Sequence, residues 1–387
     1  LFFLVIELLN YIYTIKKNFL IYNRLYKRKN MRRKLLILTS FLLSLINSGL
    51  IYTKFVVIDK QPQKIEEKKF NSLEEAVEAV SEQDLKQYVE KLSDKDLEGR
   101  MSGKSGNKKA ADYIDSVLDE NGISHVRQRF GIKKAVNIGP NKEEGDAFTE
   151  NIIAYIISDT NKDDIIVLGA HFDHIGYGPA YSRDKTAIHP GADDNASGVS
   201  VLLELAKILK TMKLNKTVCF QFYSGEEMGL LGSKYYCNNP ILPLDGPDIK
   251  KHLAMINFDM VGYLDEKYIR KANMFESSVD LREYVYSLNE KYNFAKKISG
   301  FGPGSSDHSS FYNKKIPIAF IHTGVHPYYH TSRDTPEKLN YKGMVEITKF
   351  ALELINKIDY NNNPKFTIVD FKPFEASYDH EQIKFGE

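Results

Sequence analysis

Apolar residues recur at helical spacing from Leu73 onward. Leu73, Ala76, Val77, Val80, Leu85, Tyr88, Val89 and Leu92 fall at spacings of three, four and seven, which predicts helix across this stretch. A glycine-marked turn follows at 99–106, then a helix over 110–118 that ends near Asn121 and Gly122. Short, nearly continuous apolar runs rich in β-branched residues predict strands at 151–157, 165–170, 217–223, 254–258 and 316–321. Between them, helical patterns cover 198–212, 228–236, 279–292 and 341–358. Strands that alternate with helices and read as continuous apolar runs are buried on both faces. The expected class is therefore α/β, with a mixed, mostly parallel central sheet and helices on both faces. In such sheets, ligands bind beyond the carboxyl ends of the strands.

Composition narrows the class little: 42% hydrophobic, 12% aromatic and 27% charged residues exclude disorder, collagen or coiled coil for the whole chain. Two cysteines exclude a disulfide-dense scaffold. The formal net charge of +2 hides two unlike pieces. Residues 1–60 hold 11 basic and 2 acidic residues, whereas 61–387 hold 42 and 49, a net of −7. Within the basic piece, Met31-Arg32-Arg33-Lys34 precedes the uncharged, mostly apolar run 35–52. A basic start before an apolar run is the pattern of a signal peptide, and the run is also long enough for a membrane anchor. Met31 is the expected natural start, with 1–30 upstream of it. The expected organisation is an upstream segment with signal peptide or anchor at 1–60, a linker at 61–73, a catalytic domain at 74–360 and a polar tail at 361–387. The working part is then extracytoplasmic, secreted or periplasmic, and meets a membrane only through an uncleaved N-terminal segment. The basic residues cluster in that segment, not in an aromatic-interleaved face, so no nucleic-acid partner is expected.

The chemistry sits after the strands. The run 165–170 leads into His171-Phe172-Asp173-His174, where alternation puts His171 and Asp173 on one side of the chain. A histidine that binds metal usually needs a carboxylate on its other ring nitrogen. Gly191-Ala192-Asp193-Asp194-Asn195 precedes a helix, Glu226-Glu227 follows the strand 217–223, and Asp259 follows 254–258. Tyr329-His330-Thr331 lies in a loop after the last strand. Taken singly, each has an ordinary explanation, such as capping or a helix-dipole effect. Together they form a His, Asp, Glu, Asp, His set of nitrogen and oxygen donors, which suits zinc and related divalent ions. Five protein ligands exceed what one catalytic zinc with an open position takes, and they fit two metals bridged by a carboxylate and a water. One of the adjacent glutamates can then be a ligand and the other a general base.

These residues resemble the secreted di-zinc aminopeptidase and glutamate carboxypeptidase family of zinc exopeptidases. The resemblance runs from Asp96-Leu97-Glu98-Gly99-Arg100 to about Tyr341. It is strongest at Ala170-His171-Phe172-Asp173-His174, at Gly191 to Gly198, at Ser224-Gly225-Glu226-Glu227-Met228-Gly229 and at Asn257-Phe258-Asp259-Met260. Ser306-Asp307-His308 and Tyr329-His330-Thr331 with Asp334 complete it. The resemblance implies a phosphorylase/hydrolase-like fold, peptide substrates and two co-catalytic Zn²⁺ ions. It places His171 and Asp259 on one metal, Glu227 and His330 on the other, and Asp194 as the bridge. Asp173 would orient His171, Glu226 would act as general base, and Tyr329 would steady the oxyanion. Asp307 and His308 either line the substrate site or hold their loop.

Aminopeptidase is the favoured activity. The alternatives are a carboxypeptidase of the same family, a one-zinc glutaminyl cyclase using Asp194, Glu227 and His330, and a non-catalytic ectodomain. Arg183 and Arg333 are the nearest candidates for binding a substrate carboxylate. Cys219, in a core strand, and Cys237 are expected to be buried thiols, with a disulfide as the alternative.

Overall fold

The computed structural model of the chain describes residues 69–132, 147–178, 186–241, 248–264, 273–294 and 306–367. The expected leader, the tail beyond 367 and Arg183 lie outside them. The helical pattern that begins at Leu73 forms two helices, α1 (Leu73–Glu78) and α2 (Glu82–Leu92). The break falls where the apolar spacing stretches to five, between Val80 and Leu85. Ser81 caps the second helix there, its side chain accepting from the Asp84 N–H. The third helix, α3 (Ser105–Glu120), starts earlier than its apolar stripe suggests, within the glycine-marked stretch expected as a turn, and takes in Gly106.

A seven-stranded sheet follows, built from β1 (His125–Ile132), β2 (Ala147–Ile156), β3 (Asn161–His171), β4 (Lys216–Tyr223), β5 (His252–Phe258), β6 (Asn273–Glu276) and β7 (Ile318–His322). The order across the sheet is β1-β2-β4-β3-β5-β7-β6. The central strands β4, β3, β5 and β7 are parallel, and antiparallel strands close both sides. The sheet is mixed as expected: its centre is parallel throughout, and the three parallel pairings are matched by three antiparallel ones toward the edges. The edge strands β1 and β6 escape the apolar-run criterion. In β1 only alternate residues, Gln128, Phe130 and Ile132, are buried, because one face of the strand is covered and the other meets solvent. In β4, by contrast, every residue is buried.

Alternation splits the core between the two faces. Ile166, Leu168 and Ile256 join Leu85 and Val89 of α2, Leu202 and Leu205 of α4 (Gly198–Leu209), and Ile347 and Leu354 of α8 (Tyr341–Tyr360). The long helix α6 (Val279–Tyr292) belongs to the same layer through Leu281 and Val285. Ile165, Val167, Cys219 and Met255 meet Tyr236 of α5 (Leu231–Asn238) and Phe311 of α7 (His308–Tyr312) on the other face. At five residues, α7 is too short for periodicity to register. Among the described residues, no helix is long and apolar enough to cross a membrane.

The amino ends of the parallel strands are pinned by polar contacts. Lys216, at the start of β4, donates from Nζ to the carbonyls of Ile358 (2.7 Å), Asp359 (2.8 Å) and Asn361 (2.9 Å), closing the end of α8. The Asp359 carboxylate accepts from the Asn215 and Lys216 N–H groups at 2.9 and 2.7 Å. Substitution Lys216→Met should cost about 2 kcal/mol, the worth of hydrogen bonds from a charged group. Urea unfolding of the metal-free protein measures this, and an unchanged midpoint would count against the clamp.

Candidate functional site

Because β3, β4, β5 and β7 run parallel, their carboxyl ends meet on one side of the sheet, and each delivers an acid or an imidazole there. His171 is the last residue of β3 and is buried. Its Nε2 lies 3.3 Å from Asp194 Oδ1 and 3.5 Å from Asp259 Oδ1. Its Nδ1 faces Asp173, 3.2 Å from the main-chain oxygen and 3.7 Å from Oδ1. The same Asp173 Oδ1 accepts from the Glu226 N–H at 3.1 Å, so this carboxylate joins the ends of β3 and β4.

Asp194 sits in the turn before α4. The main-chain N–H groups of Asp193 and Asp194 donate to the Asp334 carboxylate at 2.9 to 3.1 Å. Asn195 fastens the same turn to the end of β5: Nδ2 donates to the Phe258 carbonyl (2.9 Å), and Oδ1 accepts from the Met260 N–H (3.2 Å). Asp194 and Asp259 are therefore held in register by a side chain from one acting on the backbone beside the other. Gly191 has φ +58°, and a Cβ there would lie 2.2 Å from the Asp194 carbonyl oxygen and 2.6 Å from the His174 ring.

Glu227 turns away from Glu226. Its Oε1 lies 2.8 Å from His174 Nδ1, and its Oε2 lies 3.2 Å from His330 Nε2. The His330 Nε2 is also 3.0 Å from Asp194 Oδ2. The donors thus form two groups that share Asp194. One is His171, Asp194 and Asp259; the other is His174, Asp194, Glu227 and His330, with the donor atoms of each group within 4.8 Å of one another. The five residues expected as ligands all converge. His174 joins them although alternation along β3 would have turned it away. The strand has ended at His171, so period-two reasoning no longer applies. Its Nε2 is buried without a hydrogen-bond partner.

Glu226 and Tyr329 line the cleft beside these groups, with Met260, Phe320, His322 and Val325. The Tyr329 ring stacks on His330 at 3.8 Å. Asp307 and His308 do not line it. Both are fully buried, and His308 stacks beneath the cleft wall on Phe320 at 4.2 Å. Arg333 is exposed and lies over the Tyr328 ring at 5.5 Å, while Cys219 and Cys237 are buried free thiols.

Electrostatics separates these groups. Burial alone would raise the Asp194 carboxyl, but His174, His171 and His330 hold it well below the usual range. Glu227 is likewise lowered, against burial and Asp194, by His174 and His330. Glu226 goes the other way. Burial, with Glu227, Asp259 and Asp307 nearby, pushes it well above the usual range despite His171. The His330 imidazole, opposed by burial, is pushed up to about 10 by Asp194 and Glu227. Clustered oxygen and imidazole donors, most of them buried, fit divalent cations.

Comparison with known proteins agrees with this geometry. Residues 151–355 match the family model Peptidase family M28. Aminopeptidase YwaD of Bacillus subtilis is 31% identical over 236 residues, 57% of this chain and 47% of that protein. The chain spans about half to two thirds of the length of such curated relatives. A zinc aminopeptidase structure from Bacillus subtilis aligns with a TM-score of 0.59 at 18% identity, over 75% of this chain and 98% of that one. The glutaminyl cyclase of Porphyromonas gingivalis aligns at 0.57 and 22% identity, over 72% and 98%. At such identities these two structures speak to the fold, which they share with the chain. The matched segment contains both donor groups and the cleft beside them, and the chain belongs to peptidase family M28.

Proposed function

We propose that this protein is a zinc-dependent aminopeptidase that holds two metal ions and acts outside the cytoplasm. The observation that carries the reading is the sharing of Asp194 between two donor groups. His171, Asp194 and Asp259 would hold one ion; Asp194, Glu227 and His330 would hold the other. When bound, two such ions acidify a water and polarise the scissile carbonyl.

The remaining steps belong to the protein. Glu226 lines the cleft but is in neither donor group. A carboxylate that binds a proton readily is suited to take one from the attacking water and pass it to the departing amine. Burial pushes the Tyr329 phenol upward, so it stays protonated and donates a hydrogen bond to the oxyanion. Asp173 keeps the His171 ring oriented. Met260, Phe320 and Val325 offer an apolar wall, and among the described residues the cleft lining carries no Lys or Arg. That favours an apolar N-terminal residue as substrate over recognition of a C-terminal carboxylate. The extracytoplasmic site rests on the basic-then-apolar segment 31–52 and the acidic remainder. The mass of the natural protein should correspond to loss of that segment or to its retention as an anchor. Recovery of the protein from the cytoplasmic fraction alone would sink this part.

Substitution Glu226→Gln should retain metal and lower kcat on leucyl anilide by at least about 10²-fold. Near-normal turnover would remove Glu226 from the role of base. Dialysis against a chelator should abolish release of amino acids, and zinc should restore it. In Asp194→Asn, metal content should fall by one equivalent or more per chain, and full occupancy would defeat the bridging role. N-blocked dipeptides as better substrates would indicate a carboxypeptidase. One zinc per chain with pyroglutamate as product would indicate a cyclase.

A further inference from the structure

Arg100 is among the largest fully buried side chains, at 1% exposure, and among the described residues no carboxylate is hydrogen-bonded to it. Its guanidinium spends its donors on main-chain carbonyls instead. Nε donates to Phe172 (2.8 Å), Nη1 to Leu92 and to Pro190 (2.6 Å), and Nη2 to Gly191 (2.9 Å) and Asp194 (3.5 Å). These carbonyls come from the end of α2, from the exit of β3 between His171 and Asp173, and from the turn that carries Asp194. The Arg100 backbone grips the same region from the other side: its carbonyl accepts from the His174 N–H at 3.3 Å, and the Gly99 carbonyl accepts from the Gly176 N–H at 2.9 Å. Asn107 Nδ2 also donates to the Arg100 carbonyl, at 3.2 Å.

The chain adopts unusual backbone to reach this position. Glu98, Gly99 and Arg100 have φ of +54°, +67° and +52°. A Cβ on Gly99 would lie 2.6 Å from the His189 carbonyl oxygen and 2.7 Å from that of Gly176, so the turn is pressed against the exit of β3. Burial pulls the guanidinium down to about 10 while Asp194, Asp334, Asp173 and Glu227 attract it, so it remains charged at neutral pH.

We propose that Arg100 is the positioning residue of the metal centre. It clamps the backbone that presents His171 and His174 to the backbone that presents Asp194, and so sets how the two donor groups share one carboxylate. The proposal rests on the two-metal reading above. Five carbonyls in divergent directions need a planar fork with five donors, which a lysine ammonium cannot reproduce even though it keeps the charge. Arg100→Lys therefore isolates geometry from charge.

The test is cobalt(II) titration of the metal-free proteins, followed by visible absorption and by competition with a chromophoric chelator. Wild type, Arg100→Lys and the distant Lys216→Met are compared, the last as a control for general destabilisation. Wild type should take up two equivalents, and fewer than two would sink the two-metal reading itself, separately from Arg100. Arg100→Lys should bind cobalt about 10- to 100-fold more weakly, the usual effect of losing a group that orients ligands, with altered absorption bands. Lys216→Met should bind as wild type does. Wild-type affinity and spectrum in Arg100→Lys would overturn the proposal, as would an equal loss of affinity in Lys216→Met. Should Arg100→Lys yield no folded protein, Asn107→Asp decides. It removes the donor to the Arg100 carbonyl but keeps the oxygen that accepts from Thr149 and Ser224. A weakened affinity with shifted bands then supports the clamp, and unchanged binding overturns it.

Discussion

The Asp194 carboxylate turns its oxygens to different partners, Oδ1 to His171 at 3.3 Å and Oδ2 to His330 at 3.0 Å. That double engagement constrains the rest of the site. Because the two oxygens serve different groups, a rotation of the carboxylate would favour one group at the cost of the other. The backbone of the turn is accordingly fixed from several directions: the Asp334 carboxylate holds its N–H groups, Asn195 ties it to the end of β5, and Gly191 lets the chain pass within contact of its own carbonyl and of His174. These groups come from segments far apart in sequence. The sheet brings them together because parallel strands end on one side.

The two ends of the sheet follow different rules. At the amino ends, polar groups satisfy one another, as Lys216 and Asp359 do with the end of α8. Such contacts stabilise the fold. At the carboxyl ends, several carboxylates are buried together, which is unfavourable unless cations or imidazoles offset them. His171, His174 and His330 supply part of that compensation, and the buried Arg100 supplies more from behind the turn. An arrangement of this kind is poorly explained as packing. It is well explained as a place where further positive charge is expected.

Much of this was legible in the chain, for identifiable reasons. The central strands announce themselves because burial on both faces demands unbroken apolar runs, and His171, Glu227 and Asp259 lie at or just beyond the ends of such runs. Asp194, before a helix, and His330, in a loop, could be picked out only together with them as one set of donors. The edge strands could not, since β1 alternates and β6 has only four residues. The break between α1 and α2 shows in the apolar stripe only as a spacing of five, and capping by Ser81 fixes where the second helix starts. His174, Asn195 and Arg100 were visible as letters within motifs, but their partners lie tens of residues away. A side chain that acts on a distant backbone leaves no local period or spacing to detect. Asp307 and His308 illustrate the converse: they sit in a recognisable motif, yet they lie beneath the cleft wall.

The adjacent pair Glu226 and Glu227 shows how local geometry becomes chemistry. In a helix or a strand, neighbouring side chains have a fixed angular relation. Here the chain leaves β4 through Gly225 at φ +79° and closes a turn in which the Glu226 carbonyl accepts from the Gly229 and Leu230 N–H groups at 2.8 and 2.9 Å. The Glu226 N–H is meanwhile held by Asp173. The two side chains diverge, Glu227 to a pair of imidazoles and Glu226 to the cleft. Their surroundings then move them in opposite directions, Glu227 down and Glu226 up. Two carboxyls of nearly the same intrinsic acidity thereby acquire different work, one stably anionic among imidazoles and the other ready to carry a proton. That divergence, set by a glycine turn and one hydrogen bond, is the strongest physical reason to separate ligand from base in this pair.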